Sequence, residues 1–335
     1  MPRSAHRASA GIVQHSCRNH GTTSSTGDSL ITRYSESVRV GTSFFSRVPA
    51  PILIIAGIVS LQVGAAIAKG LFGQLPPTAF VWLRLLTTAV ILLPIARPRL
   101  RGRTRDDLLV VLGFGCCLAI MNFSIYQAIA RIPLGVAVTF EFLGPLAVAI
   151  AASRRPRDLI LVALAGGGVA LLGFTPQGLN LPGVAFALLA AASWAGYILL
   201  SRETGRRWQG ISGLALASTV GAVGLAVPAI VDAGSKLLQP NLLIIGVLVG
   251  LMSSVIPYSL ELNALRRIPP GVFGILMSLE PAAAALAAML VLGEILQPLQ
   301  WIAIACIVAA SIGTTSSLRR KPVRRPGEPD VLPPG

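Results

Sequence analysis

Long stretches of apolar residues that are almost free of charge recur along the chain between residues 50 and 316. Most approach the roughly 20 residues that an α-helix needs to cross about 30 Å of hydrocarbon. The ten stretches cover residues 50–72, 78–96, 108–128, 134–152, 159–174, 182–200, 211–231, 241–263, 271–292 and 296–316. Apolar and polar residues do not alternate within them, which disfavours a transmembrane β-barrel. The pattern predicts an all-α membrane protein with ten transmembrane helices.

Composition agrees with a membrane protein and changes the meaning of the charge. Of the 335 residues, 53% are hydrophobic and only 12% are charged, whereas soluble domains carry about 25% charged residues. The net charge of +15 would favour a nucleic-acid partner if the basic residues formed one patch. Instead, 24 of the 28 lysines and arginines lie in six short clusters outside the apolar stretches. We therefore expect no nucleic-acid partner.

The same clusters predict the orientation in the membrane. They fall at the N-terminus, at the C-terminus and in every second loop, whereas the intervening loops hold only Arg131 and Lys236. Because cytoplasmic loops of membrane proteins are rich in Lys and Arg, both termini are predicted to be cytoplasmic.

The two ends of the chain have a different composition. Residues 1–49 are rich in Ser, Thr and Arg and lack the apolar run of a secretory signal peptide, so they predict a disordered cytoplasmic tail. An organelle transit peptide and a mis-assigned start codon are the alternatives for this segment. Residues 317–335 interleave Pro and Arg and predict a second disordered tail.

An internal repeat divides the apolar part of the chain. Residues 130–149 align without a gap with residues 266–285, at an offset of 136. The identical pairs are Ile132 and Ile268, Pro133 and Pro269, Gly135 and Gly271, Val136 and Val272, Leu143 and Leu279, and Pro145 and Pro281. Two copies are predicted, over residues 50–174 and 182–316. Because five helices are an odd number, the copies would be inverted, as in secondary transporters; a duplication that only builds a bundle is the alternative.

Two glutamates lie well inside the apolar stretches, away from their ends. Glu141 is in the fourth predicted helix and Glu280 is near the centre of the ninth. An acidic residue at the centre of a membrane helix costs roughly 2.5–3.5 kcal/mol on insertion scales unless it is paired, hydrated or protonated. Burial favours the protonated form of a carboxyl group, so either residue could bind and release a proton. The alternative is that both are hydrogen-bonded for packing.

Two prolines open the backbone at matching positions. Pro145 and Pro281 lack an N–H, so the carbonyl groups of Glu141 and Met277 lose their helical partners. Free carbonyls deep in a membrane are tolerated where they line protein or a hydrated cavity. We therefore expect a substrate pathway beside these breaks, the alternative being kinks that only shape the packing.

Other polar side chains complete the candidate site. Lys69 and Arg84 could hold a substrate carboxylate or pair with a membrane glutamate, and Lys69 could instead extend to the outer interface. Glu261 is expected at the inner interface. Weaker candidates for hydrogen bonding or for aromatic walls are Asn122, Tyr126, Trp194, Tyr197, Tyr258 and Ser259.

No cofactor or metal site is predicted. The four cysteines have no metal-type spacing, and the three histidines all lie within residues 1–49. The chain lacks a Walker motif and so cannot bind ATP through a P-loop. A polytopic membrane enzyme usually needs acidic clusters or histidine motifs, and the only adjacent acidic pair is Asp106 and Asp107. We expect a protein that is not an enzyme.

Four segments show a family resemblance. They read SLQVGAAIAKGLF (60–72), MNFSIYQAIARIPLGVAVTFEFLGPLAVA (121–149), ASRRPRD (152–158) and PYSLELNALRRIPPGVFGILMSLEPAAA (257–284). The chain resembles the threonine/homoserine exporter branch of the EamA family, in the drug/metabolite transporter superfamily. The resemblance implies two inverted five-helix repeats around a central cavity, in an exporter of small amino acids in the bacterial inner membrane. It places Lys69, Glu141 and Glu280 within matched motifs.

A transport hypothesis unites these observations. A zwitterionic amino acid needs an acceptor for its ammonium, which Glu141 or Glu280 can supply, and a donor for its carboxylate, such as Arg84 or Lys69. The other glutamate would exchange an inward proton for outward substrate. The expected partners are the substrate, protons and the lipid bilayer, with a homodimer left open. The alternatives are export of another small polar metabolite or drug, a membrane enzyme, and a channel.

Overall fold

The computed structural model describes residues 48–152, 158–173, 180–265 and 267–319. Within these ranges the secondary structure is entirely helical. The helices are α1 (Ala50–Gly70), α2 (Pro77–Ala96), α3 (Arg105–Ile129), α4 (Leu134–Glu141), α5 (Leu143–Ala152), α6 (Asp158–Gly173), α7 (Leu181–Arg207), α8 (Ser212–Ala233), α9 (Pro240–Gly250), α10 (Ile256–Leu265), α11 (Pro270–Met277), α12 (Glu280–Leu292) and α13 (Pro298–Arg319). Most of the predicted tails, at residues 1–49 and 317–335, lies outside the described residues.

Eight helical segments of the described chain are long and apolar enough to cross a membrane. They are Ala50–Gly70, Pro77–Ala96, Arg105–Ile129, Leu134–Ala151, Leu181–Arg207, Ser212–Leu238, Pro240–Leu265 and Val272–Leu292. Shorter apolar helices, Ile160–Val169 and Pro298–Gly313, occupy the fifth and tenth stretches of the sequence prediction. The protein is therefore a multi-pass helical membrane protein.

The side chains are distributed as an apolar solvent requires. Large aliphatic residues point outward, and Leu290 of α12 and Val231 of α8 are 80% and 79% exposed. Charged residues lie inside, among them Arg84, Glu141 and Glu280, which are at most 8% exposed. A water-soluble protein shows the opposite pattern, because an unpaired charge is expensive to bury and an apolar surface is expensive to hydrate. In lipid, the outward apolar surface carries no such cost.

Local sequence explains where several helices begin. The loop before α3 supplies Thr104, whose hydroxyl accepts from the N–H of Asp107 while the Asp107 carboxylate accepts from the N–H of Thr104. This reciprocal capping satisfies two of the N–H groups that a helix start leaves unpaired. Asn180 caps α7 by accepting from the N–H of Gly183. Asp107, half of the adjacent acidic pair in the sequence, thus has a structural role at a helix start.

Three of the apolar segments are interrupted. In two of them the helix stops after eight residues, at Glu141 in α4 and at Met277 in α11. These ends are separated by 136 residues, the offset of the sequence repeat. Each break lies within four residues of the proline named in the sequence analysis, Pro145 or Pro281. The third interruption is a π-helical turn over Leu251–Val255, between α9 and α10, which the sequence pattern did not indicate.

Small residues bring the broken helices into close contact with their neighbours. Gly135 of α4 packs against Ala285 of α12, where a Cβ on the glycine would lie 2.8 Å from the alanine Cα. Gly144 of α5 packs against α7 so closely that a Cβ would lie 2.1 Å from the carbonyl oxygen of Ala191. Such approach of two backbones is how helices associate in lipid, where no hydrophobic force drives them together.

The packing pairs of helices follow a pattern. The most extensive contacts join α3 with α7, α2 with α8 and α6 with α13. α1 lies between α10 and α12, and α7 lies correspondingly between α3 and the pair α4 and α5. α4 and α12 also contact each other, so the two interrupted segments lie side by side.

Candidate functional site

A cavity of about 520 Å³ lies between the interrupted helices and their neighbours. Its walls come from α1, α2, α3, α4, α5, α7, α10, α11, α12 and α13, together with the π-helical turn. The sequence-predicted residues that line it are Arg84, Asn122, Tyr126, Glu141, Trp194, Tyr197, Tyr258 and Glu280, with Pro145 of the first break. The remaining polar residues of the wall are Gln62, Ser201, Ser253, Glu261 and Ser311. The fold therefore brings most of the predicted candidates together at one place.

Glu280 begins α12 at the second break and is oriented by α1. The Gln62 amide donates a hydrogen bond from Nε2 to Glu280 Oε1 over 3.0 Å. The other carboxylate oxygen, Glu280 Oε2, is buried without a hydrogen-bond partner among the described residues, and so is Gln62 Oε1. Buried polar atoms are nearly always paired, so two unpartnered acceptors on hydrogen-bonded residues of a cavity wall indicate a place for a donor.

Arg84 is the buried cation of the cavity wall. Its guanidinium donates from Nε to Ser254 Oγ over 2.7 Å. Ser254 belongs to the π-helical turn, so this unexpected turn supplies the partner that holds Arg84 in place. Arg84 acts electrostatically on both Glu141 and Glu280. Among the described residues, however, it forms an ion pair with neither of them. Its guanidinium also lies within hydrogen-bonding reach of the Tyr258 hydroxyl, so both described partners of Arg84 are neutral side chains.

Glu141 is the last residue of α4 and lies at the first break. It is 8% exposed and lies within electrostatic reach of Glu280. The two acidic residues of the sequence analysis thus come from two different broken helices and converge on the same cavity. Repulsion between two buried carboxylates favours a state in which one of them binds a proton or a cation.

Aromatic rings shape the rest of the wall. Trp194 of α7 meets Phe142 edge to face, with centroids 5.4 Å apart. Tyr197, one turn further along, lies against Phe114 of α3 at 4.9 Å. Asn122 donates to the carbonyl oxygen of Leu118 within its own helix over 2.8 Å. These contacts fix the width of the cavity.

Lys69 lies outside the cavity lining, at the end of α1. Its ammonium forms an ion pair with Glu294, which follows the left-handed Gly293 at the end of α12. It also donates to the carbonyl oxygen of Ile132 over 2.9 Å, while Glu294 Oε2 accepts from the N–H of Leu134 over 3.0 Å. One ion pair thus joins the ends of α1 and α12 to the hairpin before α4.

The positions of Ser259, Glu261 and Gln62 relative to the cavity differ from their treatment in the sequence analysis. Ser259 lies outside the lining and donates to the carbonyl oxygen of Val255 over 2.6 Å on an exposed face. Glu261 was expected at the inner interface, and this stays a prediction: its side chain lines the cavity, four residues before the end of α10. Gln62 was missed, although it is a polar residue within the first apolar stretch.

A multi-pass helical protein with interrupted helices around a polar internal cavity has the construction of a secondary transporter. Comparison with known proteins gives the family. Residues 181–316 match the EamA-like transporter family. The chain is 40% identical, over 82% of its length and 93% of the relative's, to the threonine/homoserine exporter RhtA of Salmonella typhimurium strain SL1344. It is 39% identical to the protein of the same name from Escherichia coli K12, with the same coverage. The chain belongs to the EamA-like transporter family.

Two more distant similarities agree with this assignment. An uncharacterized transporter of Bacillus subtilis, YwfM, is 27% identical over half of the chain and 58% of its own length. A solved crystal structure aligns over 80% of the chain and 98% of its own, with a TM-score of 0.54 and 20% identity. At that identity the crystal structure shows a likeness of fold alone. As a member of a transporter family, the protein is not an enzyme.

Proposed function

We propose that this protein exports small amino acids of the threonine and homoserine type across the bacterial cytoplasmic membrane by alternating access. The observation that carries the proposal is one buried cation, Arg84, and two buried carboxylates, Glu141 and Glu280, around a single cavity. The exporters to which the chain is 39–40% identical are named for threonine and homoserine, which supports this substrate class.

The cavity chemistry suits a zwitterion. An α-amino acid presents an ammonium, which needs acceptors, and a carboxylate, which needs donors. Glu280 Oε2 and Gln62 Oε1 are acceptors without a partner among the described residues, and Arg84 can offer guanidinium donors beyond those that Ser254 and Tyr258 use. Opposite charges at two places favour a zwitterion over a simple anion or cation.

Alternating access requires two related halves, and the packing supports such a pair. We assign ten membrane segments, the interrupted ones counting once each, as two inverted repeats over residues 50–174 and 182–316. When each of the ten segments is replaced by the one five places further along, the contact of α1 with α10 becomes that of α7 with α3. Both contacts are present in the structure. The breaks at Glu141 and Met277 are also equivalent under the repeat offset. In inverted-repeat transporters the substrate binds between the halves, near the middle of the membrane.

The orientation follows from the basic clusters, with both termini in the cytoplasm. Lys69, Glu294 and the hairpin at Ile132–Leu134 then lie at the outer end of the protein. The cavity wall extends from Ile129 and Leu134 near this outer end to Ser201 and Leu265 toward the cytoplasmic ends of α7 and α10. We assign this arrangement to a state that is closed toward the outside and holds its cavity toward the cytoplasm.

Proton coupling completes the proposed cycle. One glutamate binds the substrate ammonium, and the other exchanges an inward proton for outward substrate. Two carboxylates that repel each other in one cavity support this division, because protonation of one relieves the repulsion. We place the amine at Glu280, which has the free Gln62 acceptor beside it, and the exchangeable proton at Glu141.

Purified protein in proteoliposomes tests the proposal. Glu280→Gln and Glu141→Gln should each lower threonine export driven by a proton gradient by at least about tenfold, the effect of losing one strong charged interaction. Exchange of labelled for unlabelled threonine, which needs no net proton movement, should survive in Glu141→Gln and fail in Glu280→Gln. Asp232→Asn, at an exposed acid near the end of α8, is the matched control and should behave as the wild type. Full proton-driven export by both glutamate variants would contradict the proposal.

A further inference from the structure

Tyr126 of α3 is a buried residue with an unused polar atom. Its side chain is among the largest that are fully buried, with 1% exposed, and it lines the cavity. Its hydroxyl has no hydrogen-bond partner among the described residues. A buried phenol nearly always finds a partner, because leaving its hydroxyl unpaired forfeits the hydrogen bonds that water would make.

The ring of Tyr126 is fixed by its neighbours. Phe72 lies against it with centroids 6.0 Å apart, and Arg84 Cζ lies 6.0 Å from the ring centre. The hydroxyl therefore has little freedom to reach a partner elsewhere. Because Arg84 is the donor that we assign to the substrate carboxylate, the Tyr126 ring stands beside the place where the substrate's charged end is held.

Other unpaired hydroxyls in the structure do not have this combination of features. Ser124 and Ser218 are buried and unpaired but lie outside the cavity lining. Ser253 lines the cavity, but its Oγ lies against the α1 backbone, 2.3 Å from where a Cβ on Gly64 would be. Of the buried unpaired hydroxyls in the described part of the chain, Tyr126 and Ser253 line the cavity, and Tyr126 is the one that does not press on the α1 backbone at Gly64.

We infer that the Tyr126 hydroxyl hydrogen-bonds the side-chain hydroxyl of the transported amino acid and so selects hydroxy amino acids over apolar ones of the same size. This inference rests on the proposed function, which already assigns the ammonium and carboxylate to other residues. A phenol can donate to or accept from an alcohol, so it can pair with a neutral side-chain hydroxyl. Valine has the shape of threonine with a methyl group in place of the hydroxyl, and it would leave Tyr126 unpaired. A site built to hydrogen-bond a hydroxyl discriminates against such an analogue.

The test compares threonine with valine in proteoliposomes, using Tyr126→Phe, which removes only the hydroxyl. The wild type should export threonine faster than valine. Tyr126→Phe should lower the threonine-to-valine ratio of export rates by roughly tenfold, the effect of one hydrogen bond and one relieved unpaired group. Export of alanine, which offers no side-chain hydroxyl, should stay within about twofold of the wild type, since its ammonium and carboxylate contacts are untouched.

Ser124→Ala is the matched control, because it removes an unpaired buried hydroxyl two residues away on the same helix, outside the lining. It should leave the threonine-to-valine ratio unchanged. An unchanged ratio in Tyr126→Phe would overturn the inference while leaving the proposed function intact. Equal loss of threonine, valine and alanine would assign Tyr126 a structural role and would also overturn it. Failure of the wild type to export any of the three would instead reject the proposed function.

Discussion

At the scale of single residues, the cavity is defined by polar atoms that the protein does not satisfy itself. Gln62 is the clearest case, since its amide group uses Nε2 to hold Glu280 and leaves Oε1 free. One carboxylate oxygen of Glu280 is thereby fixed, and the other has no partner among the described residues. An unsatisfied network is costly in a low-dielectric interior, so it is retained where a ligand completes it.

Replacement of Gln62 should therefore weaken substrate binding without stopping transport. Gln62→Met keeps the length of the side chain but removes the donor to Glu280. We expect the threonine concentration for half-maximal export to rise about tenfold, the effect of losing a hydrogen bond to a charged group, with a maximal rate close to that of the wild type. Gln74→Met, at an exposed position just after α1, should leave both values unchanged. A fall in maximal rate with unchanged half-saturation would show that Gln62 serves the conformational cycle instead.

At the scale of helices, the contact around Lys69 closes one end of the protein. The ion pair with Glu294, together with bonds to the backbone of Ile132 and Leu134, joins α1, α12 and the hairpin before α4. The side chains of the ion pair are only 17% and 22% exposed. An outward-open state requires these elements to separate, and separation would break all three interactions together.

Removing this contact should shift the protein toward an outward-open state. In a background without native cysteines, Ile129→Cys places a thiol at the buried outer end of the cavity. Lys69→Met should make that thiol react several-fold faster with a membrane-impermeant maleimide added outside, because the closed state loses an ion pair that is partly shielded from water. Exchange of the two charges, Lys69→Glu with Glu294→Lys, should restore part of the protection. Equal labelling rates with and without Lys69 would contradict the assignment of an outer closure.

At the scale of the whole molecule, the apolar surface and the basic loops have separate roles. The apolar surface around the helices places the protein in the membrane, and we propose that the basic loops set its orientation. Asp107, Glu203 and Arg207 illustrate the second role, since they form ion pairs between the start of α3 and the end of α7 on the face that carries the basic loops. The proposed direction of export depends on this predicted orientation.

Reporter fusions test the predicted orientation. Green fluorescent protein, which matures in the cytoplasm, should fluoresce when fused after the C-terminus. Alkaline phosphatase, which is active only outside the cytoplasm, should be active when fused after Lys236 and inactive when fused after Arg101, because basic loops are retained inside. The reverse pattern at the two internal positions would overturn the orientation and with it the direction that we assign to transport.

Much of the fold could be predicted because a chain segment in lipid must satisfy its own backbone hydrogen bonds, which an α-helix does. Each apolar stretch predicted from the sequence coincides with helical structure, and the breaks after Glu141 and Met277 follow from prolines four residues further along the chain. The π-helical turn at Leu251–Val255 was not predicted, although Pro257 lies two residues beyond it and, having no N–H, leaves the carbonyl of Ser253 without a helical partner. That turn supplies the partner of Arg84, so this feature of the site was missed with it.

The sequence by itself determined which residues are polar in an apolar chain and thereby identified Arg84, Glu141 and Glu280. It also determined the membrane class and the repeat, since hydropathy and self-similarity are local properties of the chain. Only the tertiary structure decided which polar residues face one another. It showed that Gln62 is hydrogen-bonded to Glu280, and that Lys69 forms an ion pair at the end of α1, outside the cavity lining. The physical reason is that burial and pairing depend on helix rotation and packing. These are set by contacts between residues as far apart in the chain as Gln62 and Glu280.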